Sequence, residues 1–106
     1  AGSRAVVPGI PLVDTVKEVD GDNDVVQTIP RDALRGVQTP QGFDRAVLTA
    51  VHSDSRFASA TDDAGMVEAS GGTVHVVPGH SEAFKVTRPF DRVVAEALVR
   101  SRTNAP

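Results

Sequence analysis

"TVHVVPGHSEAFKVTRPFDRVVAEALVR", Thr73 to Arg100, decides the fold. "TVHVVPG" is a β-branched run stopped by Pro78-Gly79, and it reads as a strand. "AFKVT", Ala83 to Thr87, reads as a second short strand. From Arg88 the period changes. Phe90, Val93, Val94, Ala97 and Leu98 fall on one helical stripe, Pro89 suits a first turn and Thr87 suits the cap. Strands followed directly by a helix predict an α/β layer fold with a mainly parallel sheet.

Working back along the chain, "AVVP", Ala5 to Pro8, is apolar on both faces and reads as a buried strand. Such a strand at the start of the chain predicts sheet partners before residue 1. Leu12–Val19 and Val25–Ile29 flank the turn-forming "DGDND", so they predict a hairpin. Its charges make it a poor core element, and residues 12–30 are expected as an arm outside the sheet. "RDALRGV", Arg31 to Val37, reads as a short helical turn, and "QTPQG", Gln38 to Gly42, as a rigid polar loop in which Pro40 drives Thr39 out of the helical region. Phe43, Val47, Leu48 and Val51 have helical spacing. "TDDAGMVEASGG" predicts a helix capped by Thr61, with Asp62 and Asp63 at its positive end and Gly71 or Gly72 closing it. The tail "SRTNAP" is expected to fray.

A length of 106 residues fits one small domain or part of a larger one. The net charge of −3 and the absence of Trp and Tyr argue against a nucleic-acid partner, which needs a basic face and a stacking surface. Without cysteine there is no disulfide, thiolate zinc site or thiol nucleophile. No apolar run reaches membrane-spanning length and no secretory leader is evident, so no membrane association and a cytoplasmic location are expected.

Most chemical motifs fail on inspection. "DGDND" alternates acids, but the sixth and twelfth positions of a calcium loop would be Val25 and Arg31, so a solvated turn is expected. His75 and His80 lack a third ligand at a recognisable spacing, and no metal site is expected within these residues. No serine lies in a nucleophile elbow, and no phosphate-binding glycine loop is present. Lys85 and Arg31 remain. Lys85 stands just before a helix start, where a sheet gathers ligands and a lysine presents a compact charge to phosphate. An edge-strand lysine that discourages aggregation fits the spacing equally well. Arg31 is either a phosphate fork or a surface arginine, and its position favours the surface.

Taken together, "PLVDTVKEVDG", "LRGVQTPQGF", "TDDAGMVEASGGTVHVVPG" and "AFKVTRPFDRVVAEALV" resemble, in order and spacing, the C-terminal half of the 2-C-methyl-D-erythritol 4-phosphate cytidylyltransferase family. The resemblance runs from about Ala5 to Arg100. It implies part of a Rossmann-like nucleotidyltransferase sheet with a projecting β-arm that interlocks two subunits as a homodimer. It implies transfer of a cytidylyl group from CTP to 2-C-methyl-D-erythritol 4-phosphate, releasing pyrophosphate, in non-mevalonate isoprenoid biosynthesis.

The resemblance also assigns roles. Lys85 and Arg31 are its catalytic positions, with Lys85 beside the attacking phosphate and Arg31 at the end of the arm. Thr15, Thr39 and Thr61 are its substrate contacts. Magnesium is implied as cofactor, with ligands expected from the family's N-terminal half. That half, which carries the glycine-rich nucleotide loop, is absent from residues 1–106. The chain by itself is therefore expected to be an incomplete, inactive site. The competing reading is a non-catalytic α/β dimerisation or interaction module derived from the same family.

Overall fold

Strand β1, Ala5–Pro11, is the axis of the main sheet in the computed structural model, which describes residues 4–104. It pairs antiparallel with β4, Arg35–Val37, and β5, Gly42–Phe43, and parallel with β6, His75–Pro78. Gly9 faces both Val37 and Pro78, and Val6 faces both Gly42 and His75. So β4 and β5 share one edge of β1 and β6 takes the other. Three steps along β1, Gly9 to Val6, match five along the other strand, Val37 to Gly42. Two residues are therefore extruded, and the polar loop around the cis Thr39–Pro40 bond is this bulge.

The sheet is thus α/β in setting but mixed in direction, not mainly parallel. The chain leaves the carboxyl end of β1, forms a hairpin and re-enters at the same end, so β4 has to run back antiparallel. Only β6, reached through helices, returns parallel.

That hairpin lies within the expected arm. Strands β2, Val16–Val19, and β3, Val25–Ile29, form a separate two-stranded sheet with a bulge at Glu18/Val19. Asp20 Oδ1 accepts the backbone N–H groups of Asp22 (2.9 Å) and Asp24 (3.1 Å), and Asn23 adopts φ 65°, so "DGDND" is a side-chain-supported turn. No arm residue from 12 to 30 is buried, yet Val13 is 84 % exposed and Val25 and Val26 are each 57 % exposed.

Helix α1, Arg45–His52, starts at Asp44, whose Oδ1 accepts from the N–H groups of Ala46 and Val47. Helix α2, Asp63–Ala69, starts at Asp62, not at the expected Thr61, and Asp62 Oδ1 accepts from Gly65 N–H at 2.8 Å. The carboxylate is the stronger cap and sits at the right distance from the first free N–H groups. Gly71, at φ 87°, closes α2, as the paired glycines predicted.

The two helices cover one face of β1. Val51, Met66 and Val67 pack on Ala5, with Phe43, Val47, Leu48, Phe57, Ala60 and Val74 around them. Ala5, Val7 and Gly9 are buried, whereas Val6, Pro8 and Ile10 on the other face are only half-buried. Among the described residues β1 is therefore covered on one face, not on both.

Two local readings are overturned. Arg31–Leu34 is a single turn, closed by Leu34 N–H to Arg31 C=O at 2.9 Å, and Arg35–Val37 is strand, not helix. One turn cannot nucleate a helix when β1 offers a ladder. "AFKVT" is not a strand. Ser81–Ala83 forms a 3₁₀ turn, and residues 84–87 run irregularly, without a ladder partner among the described residues. β-forming side chains do not make a strand without a neighbour to bond.

Helix α3 spans Pro89–Thr103, so residues 101–103 continue the helix where fraying was expected; the last two residues of the tail lie outside the described residues. Its N-cap position is Arg88, and Asp91, not Thr87, supplies the capping side chain. The predicted apolar stripe is formed but unpacked: α3 buries no residue, Phe90 is 74 % exposed and Val93 63 %. With the arm and α3 both standing off the sheet, the radius of gyration is 17.5 Å. A compact chain of this length would have about 13 Å. No helix among the described residues is long and apolar enough to cross a membrane.

Candidate functional site

Parallel pairing of β1 and β6 sets their carboxyl ends, Pro11 and Pro78, at one end of the sheet. Pro11 pairs with Arg35, so the turn before β4 lies there too. Three segments converge: residues 12–15, residues 31–34, and the chain from Gly79 onward. Ligands in open α/β sheets gather at such an end, because loops there diverge and leave a crevice.

The first two segments are joined by Arg31, whose Nη1 donates to the carbonyl of Val13. Arg35 Nη1 donates to the carbonyls of Asp32 (2.9 Å) and Leu34 (2.7 Å), which stiffens the same turn. Both guanidinium groups line a cleft of about 450 Å³ with Pro11, Leu12, Val13 and Asp32. Thr15 lies two residues beyond Val13 at the root of the arm and is exposed. Thr39, also exposed, rides on the bulge.

Gln38 fastens that bulge to the third segment. Its Nε2 donates to His80 C=O at 2.8 Å, and its Oε1 accepts from His80 N–H at 3.1 Å. Gln41 Nε2 reaches back to Gln38 C=O at 3.4 Å. Five residues past His80, Lys85 is exposed, and none of the five ion pairs among the described residues includes it. The far side of Lys85 is held by Asp91, whose Oδ2 accepts from Thr87 N–H (3.2 Å), Thr87 Oγ1 (3.1 Å) and Arg88 N–H (3.0 Å).

Those backbone hydrogen bonds, Thr87 first and then Arg88, hold the Asp91 carboxyl below the usual carboxylate range. A carboxyl depressed in the folded state contributes stability that is fully present above its unfolded pKa and is lost as pH falls through the lower folded value. The tether should therefore be intact at neutral pH and loosen only below about pH 4. Loss of amide protection at Thr87 and Arg88, relative to their intrinsic exchange rates, on acidification below that pH, with Asp91→Ala unprotected at every pH, is the expected result. Equal exchange in both proteins at neutral pH would contradict it.

Thr61 lies elsewhere, in a cleft of about 350 Å³ with His52, Asp62, Asp63 and Met66, and this cleft shares no residue with that of Arg31. His52, at the end of α1, meets Asp63, in the first turn of α2, at 2.7 Å, an arrangement both helix dipoles favour. Thr61 is thus next to a braced joint but is not itself the cap.

The sequence-predicted residues therefore fall into three groups: Arg31 with Thr15 at the arm root, Thr39 linked through Gln38 to the Lys85 segment, and Thr61 apart. The linking residues Gln38, His80 and Asp91 were not predicted as site-builders. Gln38 and His80 are 42 positions apart, and no local period signals such a contact.

A larger cavity, about 840 Å³, is lined by Arg4, Val51, Asp54, Arg56, Phe57 and Thr73, among others. Arg4 precedes β1 and Thr73 precedes β6, so it opens at the amino end of the sheet. Arg56 and Asp54 are paired with each other there, and Arg4 is its one further charge. Arg56 side-chain hydrogen bonds pull the Asp54 carboxyl below its ordinary range. The carboxyl end, with two arginines in its cleft and the chain that leads to Lys85 leaving beside it, is the better anion site despite its smaller cleft. Among the described residues no three carboxylate or imidazole groups converge to hold a metal ion. These residues alone do not fit a magnesium site.

A sequence profile described as 2-C-methyl-D-erythritol 4-phosphate cytidylyltransferase (IspD) matches residues 1–101. The chain is 61 % identical over 98 residues to the enzyme of that name from Frankia casuarinae, covering 92 % of this chain and 36 % of the relative. It is 56 % identical over 110 residues to that of Streptomyces coelicolor, covering 97 % and 40 %. The crystal structure of the cytidylyltransferase from Thermus thermophilus superposes with a TM-score of 0.80 at 44 % identity, over 93 % of this chain and 49 % of that one. The chain thus spans less than half the length of each of these relatives. With the mixed sheet, the hairpin arm and the ordered motifs all accounted for, the chain belongs to the 2-C-methyl-D-erythritol 4-phosphate cytidylyltransferase family.

Proposed function

We propose that this chain is the substrate-side and dimerisation half of an enzyme that transfers a cytidylyl group from CTP to 2-C-methyl-D-erythritol 4-phosphate. The observation that supports the reading is that the arm root with Arg31 and the chain from Gly79 that leads to Lys85 both leave the carboxyl end of the β1–β6 pair. In the reaction a phosphate oxygen of methylerythritol phosphate bonds to the α-phosphorus of CTP. The bond from that phosphorus to the bridging oxygen breaks, and pyrophosphate leaves. The product is 4-diphosphocytidyl-2-C-methyl-D-erythritol, an intermediate of non-mevalonate isoprenoid biosynthesis in the cytoplasm.

Two anions must approach one another, so the protein's task is alignment and neutralisation. Lys85 offers an unpaired ammonium to the attacking phosphate. Arg31 keeps N–H groups free beyond its bond to Val13 and, carried on the arm root into the site of a second copy, serves there as a second donor. Thr15 and Thr39 supply hydroxyl contacts to the polyol and phosphate, and the resemblance to the family adds Thr61 from its separate cleft. Magnesium and the nucleotide-binding loop belong, in this reading, to the family's other half, and no step above depends on residues of this chain holding a metal. The exposed valines of the arm suit a second copy of the chain, because Val13, Val19, Val25 and Val26 stand exposed on a hairpin that buries no residue.

The test is direct. This chain alone, given CTP, methylerythritol phosphate and magnesium, should release no pyrophosphate above background, and joining it to the N-terminal half of the family should restore turnover. Normal turnover by the chain alone would refute the half-site reading. A joined protein that dimerises but never turns over would favour the non-catalytic module.

A further inference from the structure

We infer that Gln38 is a positioning residue for Lys85: its side-chain amide clamps the His80 backbone and so couples the Thr39 bulge to the lysine segment. This rests on the reading of Lys85 given above. The amide pairs with His80 as one strand residue pairs with another, donating at 2.8 Å and accepting at 3.1 Å. Gln38 is itself fixed, because its own N–H donates to Pro8 C=O at 2.9 Å on β1. Gly79 N–H donates to Gly9 C=O at 2.9 Å, so both sides of the clamp hang from the central strand.

The fit leaves no spare room. A Cβ on Gly79 would run into Gln38 Oε1 and would also crowd the Gly9 backbone. A side chain at Gly79 would have to push the amide aside. Beyond His80 the chain makes one 3₁₀ turn, with Glu82 N–H donating to His80 Nδ1 at 3.0 Å, and reaches Lys85. With no ladder between Ala83 and Thr87, the placement of Lys85 depends on side-chain tethers: Gln38 at His80, Arg102 of α3 at Glu82 (2.8 Å), and Asp91 at Thr87 and Arg88. Asp91 holds the helix start; Gln38 alone ties the segment to the bulge that carries Thr39.

The experiment uses the full-length enzyme bearing Gln38→Ala, Gln38→Glu or Gly79→Ala, each also combined with Lys85→Ala. Gln38→Ala should lower kcat by about tenfold or more, since a small misplacement of a charge at a reacting phosphate costs heavily. The KM for CTP should stay within about twofold. Glutamate keeps the acceptor for His80 N–H and loses the donor, so it should rescue only part of the loss. Gly79→Ala should match Gln38→Ala, because it displaces the amide from the opposite side. Hydrogen exchange at His80 should accelerate in Gln38→Ala and Gly79→Ala, and less in Gln38→Glu, which keeps the acceptor for that N–H.

The decisive readout is non-additivity. If Gln38 acts through Lys85, removing it from the Lys85→Ala enzyme changes kcat little. A full tenfold loss in both backgrounds, or unchanged kcat in Gln38→Ala despite fast His80 exchange, would overturn the inference. If Lys85→Ala itself turns over normally, the assignment of Lys85 fails first, and the clamp's role falls with it.

Discussion

Lys85→Ala in the full-length enzyme is expected to lower kcat about 10²–10³-fold, the usual cost of removing one preorganised charge from an anionic transition state. The melting temperature should barely move. Lys85 is exposed and outside the described ion pairs, and surface substitutions of that kind stay within about 0.5 kcal/mol. Lys85→Arg should recover only part of the rate, because a planar fork does not reproduce a compact ammonium at one phosphate. Steady-state pyrophosphate release and a thermal melt on the same samples check both halves. A kcat within about threefold of wild type would remove Lys85 from the site. Lost rate together with a collapsed melt would make it structural.

Arg31→Ala should be nearly as damaging and, in mixed dimers, reparable. Arg31 stands at the root of an arm that buries none of its own residues. If the arm completes the partner's site, neither Arg31→Ala nor Lys85→Ala homodimers contain an intact site. Co-expressed at equal levels, half of the dimers would be mixed, each with one intact site. Activity should then return to about a quarter of wild type. Recovery would show that the two residues act across the dimer. No recovery, with mixed dimers verified by mass, would confine Arg31 to its own subunit or to bracing Val13.

The sequence made most of the elements legible where a local rule was sufficient. Val47, Leu48 and Val51 declared α1 by spacing, the Asp20–Asp24 cluster declared the hairpin turn, and the glycines after Ala69 declared the end of α2. It failed where a partner decides. Arg35–Val37 looked helical until β1 supplied a ladder, and "AFKVT" looked like a strand but has no neighbour. Asp62 displaced Thr61 as cap because hydrogen-bond geometry separates adjacent candidates that composition cannot.

The candidate site divides the same way. The order of "TPQGF", "TDDA" and "FKVTRP" was enough to name the family and to number Lys85, Arg31, Thr15, Thr39 and Thr61. In "LRGVQTPQGF" the sequence also held a glutamine with no stated task. Only the tertiary structure gave Gln38 one, by bringing His80 against it across 42 positions. Side-chain periodicity and capping are properties of neighbouring residues, so the sequence by itself determined them. Strand direction, ladder partners and the clamp are contacts between distant segments, and those are decided only when the chain has closed on β1.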